Sequence, residues 1–313
     1  MTPTLKHALQ TYRLQYFQRL IFFAVVLLLA LAMAPSQRLE VSAARDDKSA
    51  TAESRFTTLD GTRIHYVNYG KGSDALVLIH GWTMNADNWR DQVLDFAKRS
   101  RVIAIDLPGH GLSDKPQTTY SMDLFARAVD AVMRDAKVKR AVLVGHSMGT
   151  PVARQFYRKY PEKTLAIVIV DGVLRPLGDK AMMESIMANF RGPKYREFGS
   201  QMLSSMFGPG LSAEAKERIT KSNQNTPQHV LVSAMEGMAD PSIWGEDKIT
   251  VPVLAVMAKN PLFPPNIEES ARAIVPNLEF YMWDGVGHFV MMEKPKEFNE
   301  AVLAFLDKNK LLK

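Results

Sequence analysis

Gly145-His146-Ser147-Met148-Gly149 follows the short apolar run Arg140 to Val144 (RAVLV) and opens a segment with helical patterning. Ser147 is therefore expected at a strand-to-helix corner, where a sharp turn lifts a serine hydroxyl clear of a sheet as a nucleophile. Such a corner strains the serine backbone and brings strand and helix so close that the positions two before and two after it have room for little more than hydrogen. Both are glycine, Gly145 and Gly149. Glycine and serine are common, so the weight of the motif comes from its surroundings.

On either side of the corner, short apolar runs read as buried parallel strands: 75–79 (ALVLI), 102–105 (VIAI), 141–144 (AVLV), 166–170 (AIVIV), 253–257 (VLAVM) and 278–283 (LEFYMW). Thr62 to Tyr69 (TRIHYVNY) alternates like a half-buried strand after the turn residues Asp60-Gly61. Helical segments intervene. Leu124, Phe125, Ala128, Val129, Val132 and Met133 share one face, and Val152, Ala153, Phe156 and Tyr157 share another that Pro161 stops. Strands alternating with helices imply an α/β fold with a mostly parallel central sheet and helices on both faces. Ligands of such sheets bind beyond the carboxyl ends of the strands.

Those strand ends carry a consistent set of residues. The run 75–79 leads into His80-Gly81-Trp82-Thr83, and 102–105 leads into Asp106-Leu107-Pro108-Gly109-His110-Gly111-Leu112-Ser113. The serine corner comes next, and 278–283 leads into Asp284-Gly285-Val286-Gly287-His288-Phe289. In this order the motifs resemble the α/β-hydrolase superfamily, in its serine-nucleophile, esterase-like branch with a helical cap. The resemblance runs from about residue 55 to the C-terminus, apart from the segment between about 173 and 247. It implies Ser147 as nucleophile, His288 as the base that takes its proton, and the backbone N–H groups of Trp82 and Met148 as donors to the oxyanion. His80, Gly81, Gly145 and Gly149 are read as shaping the loops around that centre, as is His110. His146 is a motif position, His65 alternates within a strand, and His229 falls in the inserted region. Asp106 is read as structural.

The acid that orients His288 departs from the common pattern of the superfamily. The strand 253–257 is followed by Ala258-Lys259-Asn260-Pro261, and an asparagine cannot supply the negative charge that stabilises an imidazolium. Another superfamily position lies at the end of the strand after the nucleophile, here Asp171 (AIVIVDG). Asp171 is assigned as the acid, with Asn260 as a neutral orienter or Glu268 as alternatives.

Residues 173–247 lack the parallel-strand pattern and read as a helical cap insertion. Helices are expected over 181–190, 194–207, 212–222 and 226–238, with Ser212 and Thr226 as N-caps and Pro227 at a first helical position. The segment is rich in methionine (Met182, Met183, Met187, Met202, Met206, Met235, Met238), which suits both packing and an adaptable apolar pocket.

Leu20 to Ala34 (LIFFAVVLLLALAMA) is an unbroken apolar run preceded by Lys6, Arg13 and Arg19 with no acid. Residues 1–44 are thus expected to be a signal peptide or an N-terminal membrane anchor, with 45–54 a linker and 55–172 plus 248–313 the core. The catalytic part is then exported, periplasmic or secreted, or anchored outside the cytoplasm. The 313 residues are 46% hydrophobic and 23% charged, an ordinary globular composition, and the net charge of +6 is scattered along the chain, which argues against a nucleic-acid partner. With no cysteine, disulfides, Cys-ligated zinc and thiol catalysis are excluded. No metal cluster or phosphate-binding loop is evident, so no cofactor is implied. The expected partner is a small acyl substrate with an apolar portion, cleaved by a serine hydrolase of carboxylic esters through an acyl-enzyme. Lactonase, thioesterase, C–C hydrolase or acyltransferase chemistry uses the same constellation, and a non-catalytic ligand-binding protein could use the same fold.

Overall fold

A computed structural model describes residues 51–176, 180–260 and 263–312. The N-terminal segment 1–44 and the linker as far as residue 50 lie outside them. Among the described residues no helix is long and apolar enough to cross a membrane.

The chain enters the sheet at β1 (Ala52–Leu59), inside the stretch read as linker, and turns through Asp60-Gly61 into β2 (Thr62–Tyr69). Both turn residues have positive φ, 49° and 81°, the conformation that lets a two-residue connection match the twist of the strands it joins. β3 (Asp74–Ile79), β4 (Arg101–Ile105), β5 (Arg140–His146), β6 (Thr164–Val170), β7 (Val253–Ala258) and β8 (Leu278–Trp283) complete an eight-stranded sheet in the order β1-β2-β4-β3-β5-β6-β7-β8. The β1-β2 and β2-β4 pairs are antiparallel and the rest are parallel.

Side chains along the central strands alternate between two apolar layers. Val77, Ile79, Leu143, Ile167 and Ile169 face one side, and Leu76, Leu78, Val142, Val144, Val168 and Val170 face the other. Helices α2 (Met122–Asp135) and α3 (Gly149–Lys159) cover the first layer with Phe125, Val129, Val132, Val152 and Phe156. Helices α1 (Arg90–Ala97) and α10 (Pro295–Lys308) cover the second with Val93, Phe96, Phe298, Val302 and Phe305. Being covered on both faces is what lets these strands be continuously apolar.

Between β6 and β7 lie α4 (Lys180–Arg191), α5 (Tyr195–Ser205), α6 (Ala213–Gln224) and α7 (Gln228–Ala239). Ser212 caps α6 by accepting from Ala215 N–H. Thr226 does not cap α7: its hydroxyl donates back to Ser222 C=O, and Pro227 takes the N-cap position. The cap packs through two separate apolar clusters. Met187 and Phe190 of α4 and Val230, Leu231, Ala234 and Met235 of α7 join the first layer, whereas Leu203 of α5 and Leu211, Ala215 and Ile219 join the second. Of the cap methionines only Met187 and Met235 are buried; Met182 is exposed.

Both ends of the cap insertion are held by one guanidinium. Arg154 of α3 is 1% exposed and donates to Leu174 C=O at 2.6 Å on the outgoing side and to Gly245 C=O on the returning side. Arg175 and Glu246 pair across the same two segments at 2.6 Å. A buried cation on helix α3, which starts just past the Ser147 corner, thus ties the cap roots to the core. Arg154→Met would leave two carbonyls without their donor and is expected to lower unfolding free energy by about 2–4 kcal/mol. Urea denaturation checks this, and an unchanged midpoint would contradict it.

Candidate active site

Ser147 sits one residue past β5 with φ 52°, a left-handed conformation unusual for a residue with a side chain. The surrounding glycines explain how it is held. A Cβ on Gly145 would strike Gly149 C=O, and a Cβ on Gly149 would strike Ile79 C=O at the end of β3. Ser147 N–H donates to Val170 C=O at 3.0 Å, which fixes the corner against the end of β6. Ser147 itself is half-buried.

Asp171 follows β6 directly, also at positive φ (42°), and its N–H donates to Val256 C=O of β7 at 2.9 Å. Because β5, β6 and β7 are neighbours, the residues just past their ends are brought together. The Asp171 side chain is fully buried; Oδ1 accepts Ala258 N–H at 2.7 Å and Oδ2 accepts His288 Nδ1–H at 2.6 Å. That bond sets the tautomer of His288 and leaves Nε2 with its lone pair for a proton. The last residue of β7, Ala258, thus contributes a backbone donor to Asp171. Glu268 is engaged elsewhere, paired with Arg272 at 2.7 Å on the surface helix α8 (Ile267–Arg272).

The loop after β3 lies against the serine. A Cβ on Gly81 would come within 3.0 Å of His146 Nδ1 and 3.2 Å of Ser147 Cβ. Among the described residues, neither Trp82 N–H nor Met148 N–H has a hydrogen-bond partner. Two unpaired backbone donors flanking a serine can bind an oxygen that gains negative charge. His80 holds this loop: its Nδ1–H donates to Gly81 C=O at 2.8 Å and its Nε2 accepts Leu107 N–H at 3.0 Å. The Trp82 side chain does more than fill space. Its indole N–H donates to Leu231 C=O of α7 at 3.0 Å and its ring meets Phe190 of α4 edge-on at 4.9 Å, joining the loop after β3 to the cap.

His146 also reaches the centre. Its Nε2–H donates to His288 C=O at 3.0 Å and the two rings are 4.7 Å apart, while its Nδ1 is buried without a partner. The motif reading gave it no such contact, because the acceptor is a backbone atom far along the chain. Asp106 lies in a different relay: it accepts His65 Nδ1–H at 2.8 Å, and His65 Nε2 accepts the Ser54 hydroxyl at 2.9 Å. Burial works against its charge, yet the bonds from His65, Ala86 N–H and Leu112 N–H outweigh that and hold Asp106 below the usual carboxylate range. Its loop is fastened this way to the start of the core. This relay borders a cavity of about 590 Å³ that Asn85, Arg90, Lys115 and Ser222 also line, and Ser147 is not part of its wall. Among the described residues no set of three or more acidic or histidine side chains could hold a metal ion.

The comparisons bear on the family and the fold. A family model described as the alpha/beta hydrolase fold matches residues 74–295. The 2-hydroxy-6-oxononadienedioate/2-hydroxy-6-oxononatrienedioate hydrolase of Burkholderia vietnamiensis is 28% identical over 83% of this chain and 96% of its own. A non-heme chloroperoxidase of Streptomyces lividans is 29% identical over 80% of this chain and 98% of its own. Among solved structures, Est816, titled an N-acyl homoserine lactone degrading enzyme, superposes with a TM-score of 0.68 at 28% identity, covering 80% of this chain and 100% of its own. The chain belongs to the α/β-hydrolase family and is an α/β hydrolase.

The buried imidazoles give the protein a pH signature. Desolvation holds His80, His110 and His146 below the ordinary histidine value, His110 at about 3. In the unfolded chain each takes a proton near pH 6.5, whereas in the folded state it stays neutral below that, His110 and His146 well below. Their contribution to stability is therefore complete above about pH 6.5 and is lost as pH falls toward the folded values, for His110 by about 1.4 kcal/mol per pH unit. Replacing His110 with Gln is expected to reduce the loss of unfolding free energy between pH 6.5 and 5 by about 2 kcal/mol. Urea unfolding at the two pH values measures it; equal losses in both proteins would contradict it.

Proposed function

We propose that the protein is a serine hydrolase of carboxylic esters that works through an acyl-enzyme, with Ser147 as nucleophile, His288 as base and Asp171 as orienting acid. The observation that carries the reading is the 2.6 Å bond from His288 Nδ1 to a fully buried Asp171, at the end of the strand next to the one that leads into a serine held at φ 52°. Ser147 Oγ attacks the acyl carbon as its proton passes to His288 Nε2. The carbonyl oxygen becomes an oxyanion and is bound by the N–H groups of Trp82 and Met148. Collapse of the tetrahedral species breaks the ester C–O bond, and His288 returns the proton to the departing alcohol. Water, deprotonated by His288, then attacks the acyl-enzyme and releases the acid. Asp171 keeps its charge throughout and stabilises the imidazolium.

Phe190 of the cap, against the Trp82 ring, with Met187 and Met235 in the same apolar cluster, favours an acyl group with an apolar portion. Lactones are cyclic esters and suit the same steps; the lactone-degrading relative at 28% identity supports them as a second substrate group. The basic N-terminus followed by the apolar run 20–34 supports export or anchoring with the catalytic part outside the cytoplasm.

Ser147→Ala is expected to abolish both hydrolysis of short p-nitrophenyl esters and labelling by a fluorophosphonate probe. Asp171→Asn should lower kcat by about 10⁴-fold by favouring the wrong tautomer of His288. Asn260→Ala should leave kcat close to wild type. A large loss in Asn260→Ala alone would refute the choice of acid. A wild-type protein that resists the probe would favour a ligand-binding role.

A further inference from the structure

Glu293 ends α9 (Val290–Glu293), the short helix that follows the His288 loop. Its Oε1 accepts the backbone N–H of Gly287 at 2.9 Å and that of Gly208 at 3.2 Å. Gly287 immediately precedes His288, and Gly208 belongs to the cap turn after α5. One carboxylate oxygen therefore bridges the cap and the histidine loop. The other oxygen, Oε2, is buried with no hydrogen-bond partner among the described residues.

The rest of this joint is equally close. His288 N–H donates to Met206 C=O at 2.9 Å, so the backbone of the histidine is bonded directly to the cap. The rings of Phe207 and Phe289 lie 6.0 Å apart. A Cβ on Gly208 would collide with the Glu293 carboxylate and Gly287 N, and a Cβ on Gly287 would collide with Gly208 N and Met206 C=O. Two facing glycines let two backbones meet around one carboxylate.

A buried carboxylate oxygen without a partner is costly, and packing alone would be better served by an apolar side chain. The feature gained at that cost is a bridge between backbone donors that lie far apart in the chain. We propose that Glu293 is a positioning residue for His288: it fastens the cap turn 206–208 to the 287–288 backbone, so that the imidazole is presented to Ser147 only while this corner of the cap is docked. The proposal rests on the reading of His288 as the base. His288 is then held at three points, by Asp171 at Nδ1, by His146 at its carbonyl and by Met206 at its N–H. Releasing the third frees the loop to shift, and a displacement of about 1 Å at a reacting group can cost about 10²-fold in rate.

The test compares Glu293→Gln, Glu293→Leu and Gly208→Ala in the full chain. The first readout is the low-field proton resonance of His288 Nδ1–H bonded to Asp171, assigned by its absence in His288→Gln. The second is kcat and KM for a p-nitrophenyl ester. Glu293→Gln keeps an oxygen that accepts both N–H groups and should retain the resonance, with kcat within about threefold of wild type. Glu293→Leu and Gly208→Ala should lose or broaden the resonance and lower kcat by about 30–100-fold, with KM changed much less and cooperative unfolding preserved. If Glu293→Leu fails to fold, Gly208→Ala carries the same test from the cap side. A folded Glu293→Leu or Gly208→Ala with wild-type resonance and kcat would overturn the proposal. So would a Glu293→Gln as impaired as Glu293→Leu, since charge and not bridging would then be the requirement. Loss of the resonance in Glu293→Leu with no esterase activity in any form, wild type included, would support the positioning role and overturn the proposed reaction.

Discussion

A serine held at positive φ between a strand and a helix is costly unless its surroundings leave the chain no other course, and here they leave none. Gly145 and Gly149 meet backbone to backbone, Gly149 abuts the end of β3, and Ser147 N–H is bonded to the end of β6. The corner is thus pinned by the two strands that flank β5 in the sheet. Everything else in the site follows from which strands those are. β3 delivers the Gly81-Trp82 loop to one side of the hydroxyl, and β6 delivers Asp171 to the other. Asp171 then fixes His288 from the loop after β8. The strain resides at Ser147 and the restraint comes from buried parallel pairing on either side.

The cap is coupled to this centre through few but specific contacts. Arg154 holds its two roots, Trp82 links the loop after β3 to α7, and Met206 and Gly208 meet the His288 loop. These contacts use backbone carbonyls and N–H groups of the cap, while Phe190, Ser222 and Asn223 meet Trp82 and Thr83 through their side chains. A fold that separates machinery from pocket can change substrate while keeping its chemistry.

Much of this was legible in the sequence, for identifiable reasons. Parallel strands covered on both faces are continuous apolar runs, and the residues just past them stand out by contrast; Ser147, Asp171 and the His80-Gly81-Trp82 loop were visible on that basis. His288 was found by its motif and its place at the end of the last run. β1 was not visible, because an edge strand such as Glu53 to Thr58, exposed along most of its length, carries little apolar alternation. The cap helices were found, with the second ending at Ser205 instead of Phe207, but not their partners. Trp82, His146 and Glu293 act through backbone atoms on distant segments, and a backbone acceptor leaves no trace in residue identity. Thr226 misled because a threonine before a proline reads as a helix cap, whereas its hydroxyl satisfies the helix behind it.

The central claim is that Ser147 carries the acyl group between two half-reactions. Rapid acid quenching of the enzyme during turnover of a slowly hydrolysed ester, followed by intact-mass and peptide mass spectrometry, tests it most directly. The account predicts a mass increase equal to the acyl group, located on the peptide containing Ser147 and disappearing as product forms. Turnover with no acyl adduct at any quench time, or an adduct on another residue, would contradict it.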